Sequence, residues 1–125
     1  MLQRQSVSRE LLELLDAIMK ESIFDSFILV GGTALALQFG HRLSIDLDFF
    51  GNGEIDEDLF VDKLCQFGKV QIIKKSKNIL ICSVDGIKVD FVNYRYDWID
   101  SIIIEDNFRL ASVKDIAAMK LNAIA

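Results

Sequence analysis

Hydrophobic and polar positions along this chain fall into stretches of two different periods, and most of its elements follow from where the period changes. Between residues 6 and 20, Leu11, Leu14, Leu15 and Ile18 recur at helical spacing, and Ser6 or Ser8 can cap the helix they predict. "SFILV", Ser26 to Val30, is a short unbroken apolar run, as expected of a buried strand, and it stops at Gly31-Gly32. Thr33 to Phe39 suits a short helix with Gly40 as its stop. The period then drops to two in "SIDLDFF": Ile45, Leu47 and Phe49 point one way, Ser44, Asp46 and Asp48 the other. Residues 57 to 67 return to a helical pattern with Leu59, Phe60, Leu64 and Phe67 inward, ending at Gly68.

Three strand candidates follow, "KVQIIKK", "NILICSV" and "IKVDFVNY", the last with Asp90 between Val89 and Phe91. Asp85-Gly86 joins the second to the third and suits a type I′ hairpin turn, in which both central residues need positive φ. "SVKDIAAMKLNAIA" predicts a closing helix, with Ser112 and Asp115 as its capping pair. Strands and helices thus mix along the chain, as in an α+β domain.

Composition narrows this picture. At 125 residues, 51% hydrophobic and 26% charged, the chain reads as one globular domain over residues 1–125. That size buries enough surface to fold without a disulfide or structural metal. No window approaches the ~18–20 apolar residues of a membrane span, and acids interrupt the N-terminal stretch where a signal peptide would be apolar. A cytoplasmic location without a membrane partner is therefore expected. The net charge of −5 excludes a broadly basic nucleic-acid coat but leaves "KKSK", Lys74 to Lys77, as a local basic patch. Cys65 and Cys82 lie in apolar surroundings without zinc spacing, and both are expected to be buried free thiols. The helical pattern is still running at Ala125, so the domain is expected to be truncated at its C-terminus relative to a longer protein.

The chemistry gathers around Asp46 and Asp48. Carboxylates two residues apart on a strand share a face, and their repulsion raises a pKa unless a cation lies between them. A divalent metal removes that conflict, and two such ions ~3.5–4 Å apart form the usual clamp for in-line phosphoryl transfer. Asp90 supplies a third carboxylate if its strand is a neighbour, either completing a coordination sphere or taking a proton from an attacking hydroxyl. Gly31-Gly32-Thr33, at the start of a helix, would present bare N–H groups to a triphosphate. On a helical wheel Lys120 falls near the middle of the stripe of Val113, Ile116, Ala117 and Ile124, so it must either snorkel outward or reach an anion. His41 and Arg42, just before the aspartate strand, could contact phosphate or cap the preceding helix.

Two rival readings of these residues are weaker. "DLDFFGNGEIDE" places Asp46, Asp48, Gly51 and Glu57 at calcium-loop positions of an EF-hand, yet Phe50 cannot ligate and the preceding residues alternate like a strand. His41 is the only histidine, and no nucleophile elbow accompanies it, which disfavours a Ser-His-Asp hydrolase.

"GGTALAL", "HRLSIDLDFF" and "RLASVKDIAAMKLNAI" together resemble the AbiEii/AbiGii toxin-type nucleotidyltransferases of the polymerase-β-like superfamily, over about residues 26 to 125. The resemblance implies an α+β fold, a short mixed sheet flanked by helices, with Gly31, Gly32 and Thr33 at the nucleotide's phosphates. It implies Asp46 and Asp48 as ligands of Mg2+ or Mn2+, Asp90 as the third carboxylate, and Lys120 facing nucleotide or phosphate. It also implies nucleotide transfer from NTP to an RNA or protein acceptor by a toxin restrained by an antitoxin protein. Members of the family usually continue into further helices beyond the lysine helix, which this chain is expected to lack. The expected function is therefore a metal-dependent nucleotidyltransferase; the alternative is a truncated, catalytically inactive module that binds nucleotide or a partner.

Overall fold

A computed structural model describes residues 2, 7–39, 46–93, 102–105, 108–112 and 116, the side chains of residues 35, 36 and 39 apart. The first helix, α1, spans Arg9–Met19, and Ser8 rather than Ser6 caps it, accepting a hydrogen bond from the Leu11 N–H at 3.1 Å. Leu11, Leu14, Leu15, Ile18 and Met19 form its buried stripe. A 3-10 turn, Ser22–Phe24, leads into β1, Phe27–Val30, which is buried at every position. The next helix, α2, covers Gly31–Phe39. The two glycines therefore form its first turn instead of a loop ahead of it.

The aspartate strand is β2, Asp46–Gly51, in which buried positions alternate with half-buried ones as the sequence pattern requires. Helix α3 spans Glu57–Cys65, capped by Asp56 through the Leu59 N–H, with Glu57 and Asp58 in its first turn where the helix dipole favours negative charge. Phe60 and Leu64, one turn apart, are its buried face. Leu59, expected inward, is 55% exposed, because it lies about 100° round the helix from Phe60. Phe67 packs half-buried just beyond the helix end.

Strands β3 (Val70–Ser76), β4 (Ile79–Val84) and β5 (Ile87–Asn93) form an antiparallel meander. Asp85 (φ 50°) and Gly86 (φ 84°) both take left-handed backbone between β4 and β5, as a type I′ turn demands. Two short strands without a clear sequence signal complete the sheet: β6, Ile103–Glu105, and β7, Phe108–Leu110. The described strands make one mixed sheet in the order β3-β4-β5-β2-β1-β7-β6, in which β2–β5 and β1–β7 are parallel pairs.

The core fixes this register. Leu29, Phe49, Phe91 and Leu80 lie side by side across four strands, all fully buried. Phe91 stacks on Phe24 and Phe49 at 5.0 and 5.2 Å and meets Phe27 and Phe60 edge-on at 5.5 and 5.2 Å. Such pairs each contribute about 0.5–1.5 kcal/mol beyond their buried area. A one-residue slip of β2 would exchange this aromatic face for the face carrying Asp46 and Asp48. The hydrophobic alternation thus determines where the carboxylates point.

Strand β3 is an outer strand whose residues beyond Val70 are exposed, with a bulge between Ile72 and Lys74. Lys74, Lys75 and Lys77 are exposed there, and Lys75 pairs with Glu57 at 3.5 Å. Lysines and a bulge are the usual protection of a sheet edge against unwanted pairing, which accounts for the basic patch seen in the sequence. Cys82 is buried, its thiol pushed up to about 11 by burial, followed by the charges of Asp90 and Cys65. Cys65, expected to be buried, is exposed at the end of α3. No helix among the described residues is long and apolar enough to cross a membrane.

Candidate active site

The site forms because β2 lies between β1 and β5. Asp48 has Val30 beside it on β1 and Asp90 beside it on β5, and Asp46 is opposite Lys88 of β5. Since alternate residues of a strand share a face, Asp46, Asp48, Lys88 and Asp90 emerge together, opposite the aromatic core. The sequence could state only that Asp90 would join if its strand were adjacent; the parallel β2–β5 pairing makes it so.

Asp48 is the electrostatic centre of the group. Its pKa is raised from 3.8 to about 6, first by burial, then by the negative charges of Asp90 and Asp46, while Lys88 pulls the other way. Lys88 reaches Asp90, with Nζ 3.3 Å from Oδ2. The other oxygen of Asp90, Oδ1, is buried and has no hydrogen-bond partner. A carboxylate oxygen buried without a partner, beside a second carboxyl whose ionisation is pushed to higher pH, is a site short of positive charge.

That shortage fits a divalent cation, for which oxygen donors on rigid strands are suitable ligands. The fit is incomplete in one respect. Among the described residues, no three acidic, histidine or cysteine side chains converge closely enough to hold one ion as they stand. The register makes Asp48 and Asp90 direct neighbours and leaves Asp46 close enough to act on Asp48 through its charge.

The start of α2 closes the site from the β1 side. Gly31 has φ +73°, and a Cβ there would meet Asp48 Oδ2 at 2.5 Å. Glycine is thus required twice, by backbone conformation and by the carboxylate against it. Gly31→Ala is expected to destabilise the protein by about 1–3 kcal/mol in urea unfolding and to displace Asp48. Combining it with Asp48→Gly should recover part of the loss; an unchanged penalty would dissociate the glycine from the carboxylate. Gly31 and Gly32 supply N–H groups to the first turn of this helix, where N–H groups point ahead of the helix instead of to a carbonyl one turn back. The Thr33 hydroxyl, in a buried side chain, donates to the Asp46 carbonyl and so ties α2 to the start of β2. Gln38 of the same helix donates to the Ala111 carbonyl at 3.0 Å, joining it to the chain beyond β7.

Lys88 is the member of the group that the sequence reading passed over. Its signal was available, since Lys88 and Asp90 are two apart on one strand. Lys120 and Arg42, together with His41, lie outside the described residues. The closing helix is described only at Ile116, whose N–H donates to the Ser112 carbonyl at 3.0 Å.

Comparison with known proteins adds to this geometry. Residues 13–125 match the family model described as "Nucleotidyl transferase AbiEii toxin, Type IV TA system". An uncharacterized protein of Aquifex aeolicus (strain VF5) is 38% identical over 128 residues, an alignment covering 97% of this chain and 61% of that protein. Two Helicobacter pylori crystal structures share the fold: a candidate nucleotidyltransferase, with TM-score 0.65 and 17% identity over 90% of this chain and 55% of that one, and JHP933, with TM-score 0.64 and 21% identity over 93% and 58%. A candidate nucleotidyltransferase from Thermotoga maritima gives a TM-score of 0.53 at 18% identity, covering 93% of this chain and 84% of its own. The chain spans 61% of the length of its Aquifex relative and 55–58% of the two Helicobacter structures.

Proposed function

The chain belongs to the AbiEii nucleotidyl transferase toxin family, and on that premise we propose that it transfers a nucleotidyl group from an NTP to a hydroxyl of an RNA or protein acceptor. The observation that carries this reading is the Asp48–Asp90 pair, with Asp46 on the same face, set beside the glycine start of α2. Phosphates laid on the first-turn N–H groups of Gly31 and Gly32 would put the α-phosphorus near the carboxylates. The acceptor oxygen attacks that phosphorus, the bond to the β-phosphate oxygen breaks and pyrophosphate leaves, while Asp90 takes the acceptor proton. Thr33 holds the helix against β2, so that the phosphate cradle and the carboxylates keep one spacing. Mg2+ or Mn2+ held by Asp46, Asp48 and Asp90 would supply the positive charge that this chemistry needs. Lys120 and Arg42 are the further residues assigned to phosphate. The proposed function includes a toxin role with an antitoxin protein as partner, in line with the family description of a toxin of a Type IV TA system.

A second reading, a module that binds nucleotide or partner without transfer, is favoured by one observation: the three carboxylates do not converge on a point. Incubating the protein with each labelled NTP, Mg2+ or Mn2+ and a pool of RNAs and proteins separates the two. The expected result is label on an acceptor, lost in Asp46→Asn. Nucleotide binding without transfer under every combination would favour the module.

A further inference from the structure

We propose that Lys88 is a resident counter-cation of the carboxylate cluster, which a divalent ion must displace from Asp90 and whose ammonium is then passed to the incoming triphosphate. Metal and nucleotide would on this account bind as a pair, each weakly without the other. The inference rests on the transferase reading and adds to it a coupling between metal and nucleotide binding.

Geometry carries it. Lys88 Nζ lies 3.3 Å from Asp90 Oδ2, and the two side chains differ sharply in exposure, 45% against 16%. The ammonium thus approaches a largely buried carboxylate from the solvent side, on a flexible stem that can swing away. Only one oxygen of Asp90 is engaged, since Oδ1 remains buried and without a partner. The register places Lys88 directly opposite Asp46, so its backbone position is next to a second member of the cluster. A fixed positive charge so near the carboxylates opposes a dication more strongly than it opposes any monovalent ion. A triphosphate reverses that sign, because it offers the displaced ammonium a new anion.

An ion pair on carboxylates that take no metal would affect stability only slightly and leave nothing for Mn2+ to report. The deciding measurement is Mn2+ binding to the full chain, by electron paramagnetic resonance, with and without α,β-methylene NTPs that cannot be turned over. In the wild type, Mn2+ alone should bind weakly and each competent nucleotide should tighten it. Lys88→Met should tighten Mn2+ alone by roughly tenfold and shrink the added effect of nucleotide. Lys88→Arg, which keeps the charge, should restore the wild-type pattern. A folded Lys88→Met protein with unchanged Mn2+ affinity overturns the inference and leaves the transferase reading standing. If the wild type binds no Mn2+, with or without nucleotide, and Asp48→Asn behaves identically, the transferase reading fails and this inference with it.

Discussion

Asp48→Asn should abolish nucleotidyl transfer and, in the same molecule, raise the stability of the metal-free protein. The loss of activity is expected to be at least roughly 10²–10³-fold, the scale on which one preorganised charge-stabilising group acts. The gain in stability comes from the environment of the carboxyl. Its pKa of about 6 in the folded protein lies above the 3.8 of an ordinary aspartate. As pH rises, the unfolded chain therefore ionises first. The contribution of Asp48 to stability is complete below the unfolded value and is lost as pH climbs through the folded one. Asparagine keeps the shape without the charge and does not suffer that loss. Discounting for the partial exposure of the group, the variant should be about 1–2 kcal/mol more stable near neutral pH. Urea unfolding across the acidic to neutral range, with a chelator present, should show the two proteins converging below 3.8, separating as pH rises from there to about 6, and keeping a constant difference above it. An Asn variant that is less stable at neutral pH would show that the carboxylate is not held against its charge.

The second large effect is expected away from the site, at Arg109 on β7. Its guanidinium donates to three backbone carbonyls: Phe27 through Nε at 3.0 Å, Phe24 through Nη2 at 3.0 Å and Met19 through Nη1 at 3.3 Å. Met19 is the last residue of α1, where carbonyls lack helical partners and a cation is favourable. One side chain thereby gathers the end of α1, the 3-10 turn and the first residue of β1. Arg109→Met leaves three partly buried acceptors without their donor and should cost about 2–4 kcal/mol, a large share of the stability of a small domain. Arg109→Lys should recover little, because an ammonium cannot match three acceptors spread around a planar fork. Equilibrium unfolding of both variants is the check, and a loss below about 0.5 kcal/mol in the Met variant would rule out a clamping role. Because β1 runs directly into Gly31, the Met variant should also weaken nucleotide binding more than its residual folded fraction accounts for.

These expectations differ in how far they were legible before the fold was known. The face shared by Asp46 and Asp48 was legible, because alternation along a strand is local stereochemistry. The same is true of the Asp85-Gly86 turn and of the stripe on α1. Ser8 and Ser6 were equally good caps by type, and the helix start decided between them. Leu59 misled because a run of apolar residues in a short helix fits more than one choice of buried face. The signal for β6 and β7 was weak, since three-residue strands carry almost no periodicity of their own.

The sequence by itself determined which residues are apolar at which period, and hence the elements, the aromatic face and the carboxylate face. It also placed a glycine pair ahead of two acids, the pattern behind the family resemblance. Tertiary structure decided which strands are neighbours. Only the parallel pairing of β2 with β5 puts Asp90 beside Asp48 and Lys88 opposite Asp46. Only the pairing of β1 with β2 brings Gly31 against the Asp48 carboxylate. Only the position of β7 beside β1 lets Arg109 reach three carbonyls more than eighty residues away. The physical reason is that period follows from the backbone geometry of adjacent residues, whereas pairing is a competition among distant segments for one buried surface. Desolvation and charge at Asp48 exist only once that competition has been won.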